Sequence, residues 1–412
     1  MRLEVAREEL AGGGVVLVAR RPLRSVYVLG SLPLGIHVEP EDREGLLNVF
    51  ARMLLMGTRE RSETEIVDEI EGMGSSASFS AGYEGLFFTI RSTAARFRET
   101  VAKVFSYAAE ASFPGEELER LRGRILTHLS ELEQDPRFVA GREFRRLLFP
   151  RGHPYSKVLI GSREGVSRIT RDDLLELREA VTGRGAIAVV VGGVEPEEAV
   201  GVFEEALEGL GGGSPPKPQA PEASRPASRI YREVRIPGRV QAAVVLGSLA
   251  VPRLHPDYHK LLVANDVLGS FGLMGRLGRR VRAEAGLAYY VFSRVDALRL
   301  AGFWRVMGGF NPAKVEEAVS MILEELAGIA ERGVSERELE DSKRHLVGSM
   351  EVMMESPAGA AQLLLEVELY GLGLDYLERF RDEVEGVGLE DVREVAERYL
   401  RPDGYVEVVA RP

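Results

Sequence analysis

The sequence contains no cysteine, and that absence removes disulfides, thiolate zinc sites and thiol nucleophiles together. Lysine is scarce too: almost all of the 53 basic residues are arginine, a bias that carries no chemistry by itself. Positive charge is the minority sign, 53 basic against 64 acidic residues, for a formal net charge of −11. A phosphate-binding surface needs a basic excess, so nucleic acid is not an expected partner. No apolar run approaches the length of a membrane span. The opening "MRLEVAREEL" lacks the basic start and apolar stretch of a signal peptide. The expectation is a cytoplasmic protein with no membrane association.

What is present describes a folded chain, 45% hydrophobic and 28% charged, and not a disordered one. Its 412 residues exceed one ordinary core, so two or more domains are expected. The boundary is the Gly/Pro/Ser-rich stretch "GLGGGSPPKPQAPEASRPAS", 209–228, which has no periodic apolar face and should be an extended linker. It leaves an N-terminal half, 1–208, and a C-terminal half, 229–412. The halves resemble each other. "SVYVLGSLPLGIHVEPEDREGLLNVFARMLL" and "QAAVVLGSLAVPRLHPDYHKLLVANDVLGSF" each predict a strand ending in Leu-Gly-Ser-Leu, a turn and an apolar helix. An alternating segment follows in each, Ser75 to Thr93 and Leu287 to Phe310, and predicts a hairpin with one buried face. Long amphipathic helices come next. Strand clusters mixed with helix runs predict an α+β fold, two duplicated halves, each a mostly antiparallel sheet with helices packed on it.

The most informative stretch is "GLLNVFARMLLMGT", Gly45 to Thr58, an apolar helix closed by a Gly-Thr turn. Positions 48, 51 and 52 project from one face in consecutive turns. His at 48 and 52 with Glu at 51 would hold a zinc ion and set a general base beside its water. The residues here are Asn48, Ala51 and Arg52. An amide oxygen is a weak ligand, a methyl group is none, and a guanidinium repels the metal. This face is not expected to bind a catalytic metal.

That helix, the later "PRGHPYSKVLIGSREGVSRIT", the linker and "GLMGRLGRRVRAEAGLAYYVFS" together resemble the pitrilysin/insulinase-type zinc peptidases, whose inverted motif is His-x-x-Glu-His. Within them the chain is most similar to the small two-subunit branch that includes mitochondrial processing peptidase. The resemblance implies two α+β halves per chain and two chains around a chamber. It also implies a third zinc ligand, a Glu on a later helix. In the matching stretch "ELERLRGRILTHLSELEQDP", His128 falls near that slot and Glu131 a turn away. One remaining ligand cannot make a zinc site, which needs three. The departure implies a chain without peptidase activity of its own and without a cofactor. Zinc is then expected in a partner subunit of similar size that keeps His-x-x-Glu-His, with a homodimer the alternative in its absence.

In active members of that family an Arg and a Tyr, seven residues apart in the second half, hold the substrate backbone and steady the tetrahedral intermediate. The matching residues are Arg282 and Tyr289 in "RAEAGLAY". A guanidinium and a phenol can both donate to a carbonyl that is becoming an oxyanion. The bland alternative is a solvated helix residue and a strand residue packing on its neighbours. Two functions follow. One is a zinc-lacking subunit of a heterodimeric metallopeptidase acting on unfolded peptides. The other is a non-catalytic structural or peptide-binding homologue, as respiratory-complex core proteins are.

Other motifs carry less. Leu268 to Gly278, "LGSFGLMGRLG", lacks the Gly-Lys-Ser/Thr ending of a phosphate loop; it is a flexible turn or, by the resemblance, a substrate-handling loop. His255 and His259 flank Asp257, but Pro256 disfavours helix at His255, so the pair should not share a face. His153 in "GHPY" reads as a capping or packing residue. Glu351, Glu355 and Glu366 read as a solvated helix face, and no serine sits in a Gly-x-Ser-x-Gly elbow.

Overall fold

The computed structural model describes residues 4–211 and 213–412. Met1 to Leu3 of the opening segment and Gly212 of the linker lie outside the described residues. The chain forms two compact units, each α+β. Of the described residues, those within 1–129, 157–219 and 353–374 make the first, and those within 130–156, 220–352 and 375–412 the second.

The first unit is built on a sheet of β1 (Val5–Glu9), β2 (Val15–Arg20), β3 (Ser25–Leu32), β4 (Ser76–Ala81), β5 (Leu86–Thr93) and β6 (Ile187–Gly192), in the order β1-β2-β6-β3-β5-β4. The second holds β7 (Ile230–Arg235), β8 (Ala242–Ala250), β9 (Ala288–Ala297), β10 (Gly302–Phe310) and β11 (Val406–Arg411), in the order β7-β11-β8-β10-β9. Apart from the added β1, the two sheets match strand for strand. β2 and β6 pair parallel, as do β7 and β11, and every other pair is antiparallel. The duplication legible in the sequence is therefore a duplication of topology.

The repeated Leu-Gly-Ser-Leu has a steric cause. A Cβ on Gly30 would stand 2.0 Å from the Phe88 ring and 2.4 Å from the Ile187 carbonyl oxygen. On Gly247 it would stand 2.0 Å from the Trp304 carbonyl oxygen. At each centre strand only glycine lets the neighbours close.

Both cores are aromatic. In the first unit Phe88 packs edge-on to Phe105 at 5.1 Å, with Phe79 and Phe203 beside them. In the second, Phe303 meets Phe149 at 5.6 Å and Phe144 at 6.2 Å. Each such buried ring contributes about 1.5–3 kcal/mol.

The compact units cut across the boundaries drawn along the chain. Helix Pro136–Leu148, from the N-terminal half, packs on β8 and β11; helix Pro357–Leu369, from the C-terminal half, packs on β3 and β6. Each begins with a side-chain cap, Asp135 or Ser356, and a proline in its first turn, which fixes where the helix starts. The linker carries no helix or strand over 213–226, and its ends are tied down. Thr182 Oγ1 donates to the carbonyls of Gly211 at 3.2 Å and Gly213 at 2.9 Å. Arg225 donates to the carbonyls of Arg398 at 2.6 Å and Arg401 at 2.7 Å. Among the described residues no helix is long and apolar enough to cross a membrane.

Candidate functional site

The helix carrying positions 48, 51 and 52 spans Leu46–Met53. Its N-cap, Gly45, has φ 104° and supplies no side chain. The orphan amides are met from a distance: Glu39 accepts the N–H of Gly45 at 3.2 Å and of Leu47 at 2.9 Å. Leu47, Val49, Phe50 and Met53 are buried and fix the helix rotation. The opposite face therefore presents Asn48, Ala51 and Arg52. Asn48 is half-buried, and its Nδ2 is buried with no hydrogen-bond partner. Ala51 is buried, while Arg52 is exposed. This donor set does not fit a zinc ion: it offers one neutral amide and a permanent cation. Among the described residues no three acidic or histidine side chains converge in a metal-holding arrangement.

Ala51 and Arg52 line a cavity of about 450 Å³. Its other walls are helix Glu63–Gly72, the outermost strand β4 from Ser76 to Phe79, and helix Gly115–Leu132. That last helix contributes Leu121 and Arg124. His128 lies one turn further along it and is exposed; Glu131 is exposed as well. The residue that helix brings to the cavity is thus Arg124, which the sequence reading missed. The i, i+4 relation to His128 was the signal that would have found it.

Arg282 and Tyr289 both belong to the second unit. Arg282 lies on a π-helical turn, Gly278–Glu284, and Tyr289 on β9, the edge strand of its sheet; the turn packs on that strand. Arg282 is exposed and Tyr289 is 54% exposed. Neither makes a hydrogen bond or ion pair among the described residues. The packing role on this strand falls to Tyr290, half-buried, with the Arg137 guanidinium 4.1 Å from its ring centre.

The Gly-rich segment is closely packed. Phe271 stacks on His345 at 4.0 Å. His345 Nδ1 lies 3.1 Å from the Asp266 carboxylate, which also accepts from Ser342 Oγ at 3.0 Å. Asp266 is fully buried, and burial raises its pKa. Leu273 and Met274 stand exposed at the tip.

His255 and His259 do not converge. His255 Nδ1 accepts the Asp257 N–H at 3.1 Å, whereas His259 is buried between Tyr376, at 2.8 Å, and Glu383, at 2.8 Å. His153 is 1% exposed, stacks on Phe149 at 4.5 Å and accepts the Tyr155 N–H at 3.1 Å. Glu351 and Glu355 are exposed and Glu366 is half-buried.

Two duplicated α+β units, with Asn48, Ala51 and Arg52 on the helix where the resemblance places His-x-x-Glu-His, agree with a metallopeptidase scaffold that lacks its metal motif. Two family models match: "Insulinase (Peptidase family M16)" over residues 15–149 and "Peptidase M16 inactive domain" over residues 168–346. The chain belongs to the insulinase-type peptidase family M16. It is 23% identical to "Non-peptidase homolog YmxG" of Helicobacter pylori, over 87% of this chain and 83% of that one. It is 25% identical to an "uncharacterized zinc protease" of Streptomyces coelicolor, over 96% and 87% of the two chains. The fold superposes on a peptidase M16 inactive domain from Pseudomonas fluorescens with a TM-score of 0.92 at 24% identity, covering 100% of this chain and 98% of that one. A protease from Helicobacter pylori gives 0.91 at 18% identity, with 100% of each chain covered.

Proposed function

We propose that this chain is the zinc-lacking subunit of a heterodimeric metallopeptidase that acts on unfolded peptides in the cytoplasm. The observation that carries this reading is a contrast within the chain: the metal face holds Asn48, Ala51 and Arg52, yet Arg282 and Tyr289 stand exposed and unpartnered. An exposed Tyr on an edge strand, with an exposed Arg on the turn packed against that strand, adds little to this chain's own packing. Both are suited to a substrate backbone held against another subunit's catalytic centre. Hydrolysis would rest on a zinc site in a similar-sized partner that keeps His-x-x-Glu-His. This chain would supply the two donors to the substrate carbonyl as it gains negative charge.

A second reading is a peptide-binding homologue without catalytic duty, and the name of the Helicobacter pylori relative favours it. Isolation from native cells followed by mass spectrometry separates the two. A stoichiometric companion bearing His-x-x-Glu-His supports the subunit reading. A chain that comes out alone or as a homodimer supports the other.

A further inference from the structure

The cavity beside the dismantled metal face has its own charge pattern. Arg52 and Arg124 both line it, and neither makes a hydrogen bond or ion pair among the described residues. That is unusual in an acidic chain where arginines are generally paired, as Arg276 is with Glu338 at 2.7 Å and Arg229 with Glu407 at 2.9 Å. Two carboxylates also lie on the wall. Glu63 is engaged by Arg120, and Glu71 reaches neither Arg52 nor Arg124 within ion-pair distance. Two unpaired guanidinia therefore line one partly enclosed space, and an anion entering it would gain from both.

The fourth wall says what kind of anion. β4 is the last strand of its sheet. Beyond its ladder with β5, no backbone group of Ser76–Ala81 has a partner among the described residues. A free strand edge takes up extended chain by main-chain hydrogen bonding. A guanidinium pair takes up carboxylate with strong, geometrically defined bonds. We infer that the cavity lined by Ala51 and Arg52 is a carboxylate pocket, in which Arg52 and Arg124 hold a carboxylate of a peptide lying as an added strand on β4. The inference deepens the peptide-handling reading above and rests on it. The carboxylate can come from an acidic side chain or from a C-terminus.

The test uses the purified full chain and a short labelled Ser/Thr/Val peptide in three forms: one internal Glu with an amidated end, Gln in its place with the same end, and Gln with a free C-terminus. Binding is read by fluorescence anisotropy. The expected result is that one carboxylate form binds about tenfold more tightly than the neutral form, as for hydrogen bonds to charged groups. Whichever form gains identifies the source. Arg52→Gln and Arg124→Gln should each reduce that preference, the double variant should abolish it, and Glu71→Gln should enlarge it. Both arginines are exposed, so the variants should keep the wild-type melting temperature. Equal binding of all three peptides overturns the carboxylate pocket while leaving peptide binding intact. A preference that survives in the double variant, or no binding of any peptide, overturns it as well. None of these outcomes depends on a partner, Arg282 or Tyr289, so failure here is distinguishable from failure of the subunit reading.

Discussion

Glu39 Oε1 accepts the backbone N–H of Leu47 at 2.9 Å, and Oε2 accepts that of Gly45 at 3.2 Å. A carboxylate eight residues upstream thus does the work that a capping side chain at Gly45 would do. Glu39 is 5% exposed, and loss of solvation pushes its pKa up to about 7 from 4.5, against the pull of the Leu47 N–H and the Lys157 ammonium.

A pH dependence follows. The folded state holds this proton more tightly than the unfolded state, so the contribution is full below about 4.5 and is lost as pH rises through about 7. Glu39→Gln cannot titrate. Across that window wild-type stability should fall relative to the variant, by thermal unfolding of both at a series of pH values. Parallel curves would show that Glu39 is not the group responsible.

His153 works in the opposite direction. Burial alone holds its pKa down at about 4, against an ordinary 6.5. The unfolded chain takes up the proton first, so this stability is present above 6.5 and is lost as pH falls through about 4. Protonation would also remove the Nδ1 lone pair that accepts from Tyr155 N–H. His153→Phe should flatten the acid side of the stability curve, even though its unmet Tyr155 amide costs about 1–3 kcal/mol. An unchanged acid slope would count against it.

These two residues mark what the sequence could and could not disclose. Alternation and amphipathic spacing located the hairpins at 75–93 and 287–310, and Leu-Gly-Ser-Leu marked the paired centre strands. Periodicity reports that a helix has a buried face but not which sheet receives it. The docking of Pro136–Leu148 on the second sheet and of Pro357–Leu369 on the first was therefore illegible. Glu39 sits in an acidic turn, where a carboxylate is ordinarily solvated, and nothing local announces its burial. The replacement of a His-x-x-Glu-His pattern by Asn48, Ala51 and Arg52 is legible because it depends on residue type at fixed helical spacing. The cavity position of Arg124 depends on how three helices meet a strand, and that is tertiary.

Asp266 offers a test of how the Gly-rich segment is held. Its buried carboxylate joins Ser342 and His345, and His345 carries Phe271 on its ring face. Asp266→Ala would strand two polar partners at a cost of about 1–3 kcal/mol and release the stack. Denaturant unfolding should show the loss, and amide exchange over Leu268 to Gly278 should quicken. Unaltered exchange there would mean that glycine packing alone fixes the segment.

Arg282 and Tyr289 separate structure from function most cleanly. Both are exposed and unpartnered, so Arg282→Ala and Tyr289→Phe should each change the stability of the isolated chain by no more than about 0.5 kcal/mol. In the reconstituted pair each change removes a donor to the developing oxyanion, a loss of about 10²–10³ in kcat where such donors have been removed elsewhere. Substrate affinity should change less, because a group that acts on the transition state shows itself in kcat more than in KM. Tyr289→Phe is the sharper variant, since it keeps the ring and deletes only the hydroxyl. Full turnover in both variants would sink the subunit reading and leave a chain that binds peptides without helping to cut them.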